Sequence, residues 1–297
     1  MTFAWAWALF TLIAAGAQTL RNATQRGLVS SLGTIGATHV RFLFGLPFAC
    51  LFLAIVVAVL GPPPSVLDWS VLGWAAAGGV TQILATMLML AAMKDRSFVV
   101  TIAYTKTEPV QTALVGLLLL GDTVTPGLMV AILVAVAGIL VLSHAPVAAG
   151  TPRWRPALLG MVSGGFFGLS AVSFRGAILD LGAPHVVLGA STILVLGLAI
   201  QVAIVTVWLV WRDRATLAAI LEAWRPSRLA GVRGAPARHF WFIAVARQSA
   251  AQVRTPARVE VFFAQIVSRT LFKEGVNPRD VVGVALVIVG VGLLLRT

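Results

Sequence analysis

The chain has 297 residues, of which 59% are hydrophobic and 11% charged, with a mean hydropathy of +0.96 and a net charge of +12. Soluble globular chains are nearer half apolar and a quarter charged, so these charges are too few to cover a soluble surface. The composition excludes an ordinary soluble domain and points to an all-α integral membrane protein, in which lipid takes the place of the polar surface.

Apolar segments long enough to span a bilayer recur along the whole length. About ten helices are expected, at Phe3–Leu20, Thr34–Leu60, Ser70–Met93, Phe98–Leu120, Pro126–Ser143, Pro156–Phe174, His185–Trp211, Leu229–Ala246, Thr255–Phe272 and Val281–Leu295. A transmembrane β-barrel would show short alternating segments instead. The first segment begins almost at Met1 with no Lys or Arg before it, which predicts an uncleaved first helix rather than a secretory signal. Arg41 and Pro47 mark the start and bend of the second span; Arg41 is expected to snorkel to the interface, with an inward acid as the other option. Trp5, Trp69, Trp154, Trp211 and Trp224 lie near span ends, where an interfacial belt would be. "TLAAILEAW", between the seventh and eighth spans, reads as a short interfacial helix. Many glycines fall within the spans, as close helix packing in lipid requires.

The basic excess does not indicate nucleic acid. Lys and Arg are scattered through short connections such as "RNATQR", "MKDR", "TPRWR" and "WRDR", as topology signals are. Cys50 is the only cysteine, and His39, His144, His185 and His239 lack ligand-like spacing. No cofactor, metal or nucleic-acid partner is expected. The expected partners are a small-molecule solute, the lipid bilayer and, in a homodimer, a second copy of the chain.

Shifting the chain by 152 residues overlays Ala92–Leu142 on Ala244–Leu294 without a gap. Ser97 meets Ser249, Glu108 meets Glu260, Pro126 meets Pro278 and Gly138 meets Gly290, while Asp122 meets Glu274. "LRNA" after the first span also echoes "FRGA" after the sixth, which sets Arg21 opposite Arg175. Residues 1–148 and 153–297 are therefore expected to be two five-helix repeats. Five is odd, so the second repeat enters the membrane inverted, an architecture common among secondary transporters.

The fourth span carries the densest chemistry. Thr101, Thr105, Glu108 and Thr112 recur at three- and four-residue spacings with Gln111 beside them, one polar stripe of the kind that lines a cavity. Glu108 and Glu260 are the two acids deep in spans. A carboxylate in hydrocarbon must be protonated, paired or facing water. Two readings follow: the pair couples proton movement or binds a cationic group, or it forms structural hydrogen bonds between helices. Lys106 is two positions from Glu108 and points elsewhere; Glu260 is its candidate partner. Tyr104 could stack on a solute or pack in the core. Pro109 removes the amide that would bond the Thr105 carbonyl, so the helix bends there or the carbonyl finds another partner.

The stretch "TEPVQTALVGLLLLGDTVTPGLMVAILVAVAGILVLS" resembles the end of an EamA-like domain of the drug/metabolite transporter superfamily, and "VEVFFAQIVSRTLFKEGVNPRDVVGVALVIVGVGLLL" resembles its second copy. "VRFLFGLPFA" in the second span is also similar to that family. The resemblance covers nearly the whole chain. It implies ten helices, alternating access, and export or exchange of small metabolites across the bacterial inner membrane. One stretch departs from it: Arg233, Pro236, Arg238 and Arg247 interrupt the eighth span, and Pro256 and Arg258 the ninth. These form either a cationic cavity for an anionic solute or a poorly inserting helix.

Other classes are weaker. A membrane enzyme lacks support, since no GxSxG, HExxH or paired catalytic aspartates occur in the spans. A receptor or retinal protein would place its lysine in the last span, whereas Lys106 is in the fourth; a channel is the remaining option. No Walker loop is present to support ATP drive. Orientation is open: the basic residues of the odd loops, Arg21 and Arg26 among them, predict cytoplasmic odd loops. The family implies cytoplasmic termini.

Overall fold

The computed structural model describes residues 6–65, 68–105, 107, 108, 111, 126–143, 152, 154–222, 257–273, 275 and 277–294. Lys106, Pro109, Thr112, Asp122, Glu274 and the eighth span lie outside these residues, as do the side chains of Arg258 and Glu260. Ten helices are described and no strand among them: α1 Ala6–Leu43, α2 Leu46–Leu60, α3 Trp69–Asp95, α4 Phe98–Thr105, α5 Pro126–Ser143, α6 Trp154–Leu181, α7 Val186–Arg212, α8 Arg214–Glu222, α9 Ala257–Thr270 and α10 Pro278–Leu294. Among the described residues, four stretches are long and apolar enough to cross a membrane, at Gln18–Leu60, Trp69–Asp95, Trp154–Leu181 and Val186–Arg212. Trp69, Trp154 and Trp211 stand at helix ends with 86%, 64% and 78% of their surface exposed, where an interfacial belt would hold them.

The chain forms two compact units, and each draws on both halves of the sequence. One comprises Met1–Ile83 and Leu169–Pro256, the other Leu84–Gly168 and Ala257–Thr297.

In the first unit α1 is two helical legs. Gly33 breaks it with φ 66° and ψ 179°, a left-handed setting that glycine adopts without the cost a Cβ brings. The Gln25 side-chain amide donates to the Ala37 carbonyl at 3.2 Å. In a straight helix those residues would stand about 18 Å apart along the axis, so the chain turns sharply at Gly33. The second leg begins at Thr34, where the second span was expected. The first leg corrects the expected end at Leu20, because "RNATQR" is helical rather than a connection. Arg21 is 5% exposed and Asn22 and Gln25 are fully enclosed. Polar residues signal a loop only when water must solvate them; here protein does so. Arg41 is likewise buried, at 6% exposure, and does not reach the outer surface by snorkelling.

Close packing in this unit uses glycine notches. Phe174 of α6 occupies the space that Cβ atoms on Gly78 and Gly197 would need, and Trp74 covers Gly176. Ser170 Oγ donates to the Gly78 carbonyl at 2.9 Å, and Gln201 Nε2 donates to Gln82 Oε1 at 2.7 Å. Helix α2 packs on α7, and α8 on α1 and α7. The predicted short helix is thus α8, and it starts at an Asp213 cap: Oδ1 accepts from the Thr216 amide at 3.0 Å and Oδ2 from the Thr216 hydroxyl at 2.7 Å. These bonds, the hydroxyl first, hold the Asp213 carboxyl below its ordinary pKa. Ile220 is fully buried beside Gly36.

In the second unit α5 packs against α10, and α4 against α9 and α10. A Cβ on Gly138 would stand 2.7 Å from the Val287 backbone nitrogen, and one on Gly290 would stand 2.5 Å from the Ala135 nitrogen. Arg96 pairs with Asp280 at 3.4 Å, tying the α3–α4 connection to the first turn of α10. Arg155 pairs with Asp95 at 3.4 Å. Arg96 is buried, so it is a structural ion in this unit as well as a loop charge.

Candidate functional site

The polar stripe of the fourth span lies in the second unit. The expected single helix Phe98–Leu120 is interrupted: α4 stops at Thr105, and Thr107 closes a turn by donating its amide to Tyr104 O at 3.2 Å. Helical bonding resumes with the Gln111 amide donating to Thr107 O. The cause is legible in the residues. Pro109 has no N–H to donate to the Thr105 carbonyl, so the helical bond that would span the break cannot form. Threonine hydroxyls satisfy carbonyls near the break, Thr105 Oγ1 donating to Ile102 O and Thr107 Oγ1 to Tyr104 O, both at 2.7 Å.

All eight residues of α4 are buried, Thr101 and Thr105 among them. Along α6, Gly160, Gly164 and Gly168 recur every four residues and make a track for the segment. Tyr104 lies over Gly160, the Thr105 carbonyl over Gly164, and the Glu108 carboxylate over Gly168. A Cβ at Gly168 would be 2.9 Å from Glu108 Oε1, and one at Gly164 would be 2.7 Å from Thr105 O. Gln111 fastens the end of the segment, its Nε2 donating to Met161 O at 2.7 Å and Thr107 Oγ1 at 3.0 Å. Tyr104, Thr105, Glu108 and Gln111 are thus brought together along one face of α6. Thr101 Oγ1 is buried with no hydrogen-bond partner among the described residues. Glu260 belongs to α9, which packs on α4, while Lys106 and Thr112 fall outside the described residues. No cluster of possible metal ligands occurs among the described residues.

A second polar region was missed in the sequence. Thr19, Arg21, Asn22 and Gln25 are buried on the first leg of α1, with Thr38, His39 and Arg41 on the second. His39 Nε2 lies 3.1 Å from Thr206 Oγ1 of α7. The available signal was spacing: Gln18, Arg21, Asn22 and Gln25 continue the helical period of the apolar run before them.

Long apolar helices, glycine-notched packing and polar side chains enclosed among them define a multi-pass, all-helical membrane protein. Over residues 5–144 the chain matches the model of the EamA-like transporter family, the family that the sequence resembles. That is a family of membrane transporters in the drug/metabolite transporter superfamily and not one of enzymes. A solved structure described only as "Crystal structure of protein" shares the fold, with a TM-score of 0.59 at 17% identity over 96% of this chain and 96% of that one. No curated protein matches the chain.

Proposed function

We propose that the protein is a secondary transporter of the bacterial inner membrane that exports a small metabolite or drug-like solute by alternating access. The observation that carries this is a buried, interrupted helix holding an acid, Glu108, within a chain that matches a transporter family. Interrupted helices expose backbone groups and polar side chains where a solute or proton can use them. The two-repeat arrangement is part of the proposal. It draws support from α5 and α10, whose equivalent glycines, Gly138 and Gly290, meet each other's helices in reciprocal register. Glu108 and Glu260 are the proposed proton-coupling pair.

The test is transport in proteoliposomes under an imposed pH gradient. Glu108→Gln and Glu260→Gln each abolish gradient-driven solute movement while leaving counterflow exchange intact. Wild-type rates in both variants, at matched insertion, would sink the coupling role.

A further inference from the structure

The second unit, Leu84–Gly168 with Ala257–Thr297, gathers basic residues at one end. Three contacts define that end. Arg96, just after α3, pairs with Asp280 in the first turn of α10 at 3.4 Å. Arg155, in the first turn of α6, pairs with Asp95, the last residue of α3, at 3.4 Å. Phe98, which opens α4, meets Phe272, just past α9, with ring centroids 5.5 Å apart. The ends of α3 and α9 and the starts of α4, α6 and α10 are therefore neighbours.

This end is cationic beyond its ion pairs. Lys94 in the last turn of α3, Lys273 just after α9 and Arg279 in the first turn of α10 are all exposed. Among the described residues no acid pairs with these three, and Asp95 and Asp280 are already engaged by Arg155 and Arg96. The Arg155 side chain keeps 53% of its surface exposed, so its pairing leaves much of the guanidinium open. In sequence, the connections 94–97, 144–155 and 271–280 hold six Lys and Arg against three Asp and Glu, whereas the connection 121–125 holds one Asp and no base. The depth suits a headgroup layer. Helices α3 and α6 have 27 and 28 residues and are apolar enough to cross a membrane. At about 1.5 Å per residue each is longer than a hydrocarbon core about 30 Å thick, so the charged end of α3 and start of α6 reach the headgroups. Trp154 is exposed beside Arg155, and Leu271 is exposed beside Phe272. Apolar groups next to unpaired cations fit a surface that is apolar at one depth and anionic at the next.

We propose that this end of the second unit binds acidic phospholipid, with Lys94, Arg155, Lys273 and Arg279 facing the headgroup phosphates and Trp154 at the boundary with the acyl chains. Charge complementarity selects the occupant. Arginine grips phosphate oxygens in pairs and lysine attracts them as a point charge. The exposed tryptophan and leucine at the same level favour a phosphate carried on acyl chains over one free in water. Bound lipid would bridge the connections that the two ion pairs already tie, and a ligand held only by the folded state raises its stability. The surface is independent of whether the chain moves a solute, so a failed transport assay leaves it standing and a failed lipid assay leaves transport standing.

The experiment is thermal unfolding of the purified full-length protein in phosphatidylcholine nanodiscs containing increasing phosphatidylglycerol, at low and high sodium chloride. Wild-type Tm rises saturably with phosphatidylglycerol, and the rise shrinks at high salt. Lys94→Gln, Lys273→Gln and Arg279→Gln each weaken the apparent affinity for phosphatidylglycerol about fivefold, and the three combined remove the rise. These side chains are exposed, so the variants keep the wild-type Tm in phosphatidylcholine alone. Lys94→Arg and Arg279→Lys keep the charge and keep the response, which holds the test open where a glutamine variant fails to fold. A wild-type Tm indifferent to phosphatidylglycerol overturns the proposal, as does an equal rise in the combined variant. Inorganic phosphate added to phosphatidylcholine nanodiscs leaves Tm unchanged; a rise matching that with phosphatidylglycerol would show a site for free phosphate and overturn the lipid assignment.

Discussion

Gly138 of α5 lies flush against Val287 of α10, with room between them for a hydrogen but not a methyl group: a Cβ would stand 2.7 Å from the valine nitrogen and 2.8 Å from the Gly283 carbonyl oxygen. The relation is reciprocal. Gly290 is the repeat equivalent of Gly138, Ala135 that of Val287, and Gly290 meets Ala135 at 2.5 Å. In lipid, helices gain little from excluding water and associate through such backbone approach. Gly138→Ala and Gly290→Ala therefore each destabilise the protein by about 1–3 kcal/mol, the usual cost of overpacking. Gly27→Ala, at a site with nothing within 4 Å of the added Cβ, is the control and is neutral to stabilising. Unfolding in detergent titrated with a denaturing surfactant measures all three.

The glycine track of α6 separates stability from transport. At Gly164 an added methyl meets the Thr105 backbone carbonyl, which cannot move alone. At Gly168 it meets the end of the Glu108 side chain, which can. Gly164→Ala thus lowers Tm, whereas Gly168→Ala leaves Tm nearly unchanged and displaces the carboxylate. Transport by Gly168→Ala falls, and its pH profile shifts from the wild-type one. An unchanged profile would show that Glu108 takes no part in coupling.

Gly33 is strained by any side chain for conformational reasons alone. No atom lies within 4 Å of an added Cβ there, yet φ is +66°. Gly33→Ala costs roughly 1–2 kcal/mol, and Gly33→Asn costs less because asparagine tolerates the left-handed region better. The order of their melting temperatures checks this.

The Asp213 cap makes α8 sensitive to acid. Its carboxyl titrates below the ordinary value because the Thr216 hydroxyl and amide donate to the ionised form. A lowered acid contributes stability above its unfolded pKa, and that contribution is lost as pH falls through the folded one. Hydrogen exchange at the Thr216 amide therefore loses protection, relative to α7, below the carboxylate range. Asp213→Ala shows the same loss at neutral pH.

How far the sequence carries depends on what each residue faces. Apolar length alone placed α3, α5, α7, α9 and α10 to within a few residues of their expected bounds. The miss at α1 came from treating "RNATQR" as solvated. A polar run in a membrane chain is a loop or an enclosed face, and composition does not distinguish them. The break after Thr105 was legible as Pro109, but its depth was not: a proline within a helix bends or ends it according to whether neighbouring groups satisfy the freed carbonyls. Here threonine hydroxyls and a glycine track allow it to end. Gln111 appeared as a neighbour of the stripe, while its partner, a carbonyl on α6, is visible only in three dimensions.

The seating of α8 gives the bend at Gly33 an external lever. Thr216 lies 2.8 Å from the place of a Cβ on Gly36, three residues past the bend, and Ile220 is sealed beside it. Leu221, on the same short helix, is 60% exposed. Any swing of the second leg of α1 drags α8 with it, so a spectroscopic probe at position 221 registers from outside the bundle a movement that begins within it.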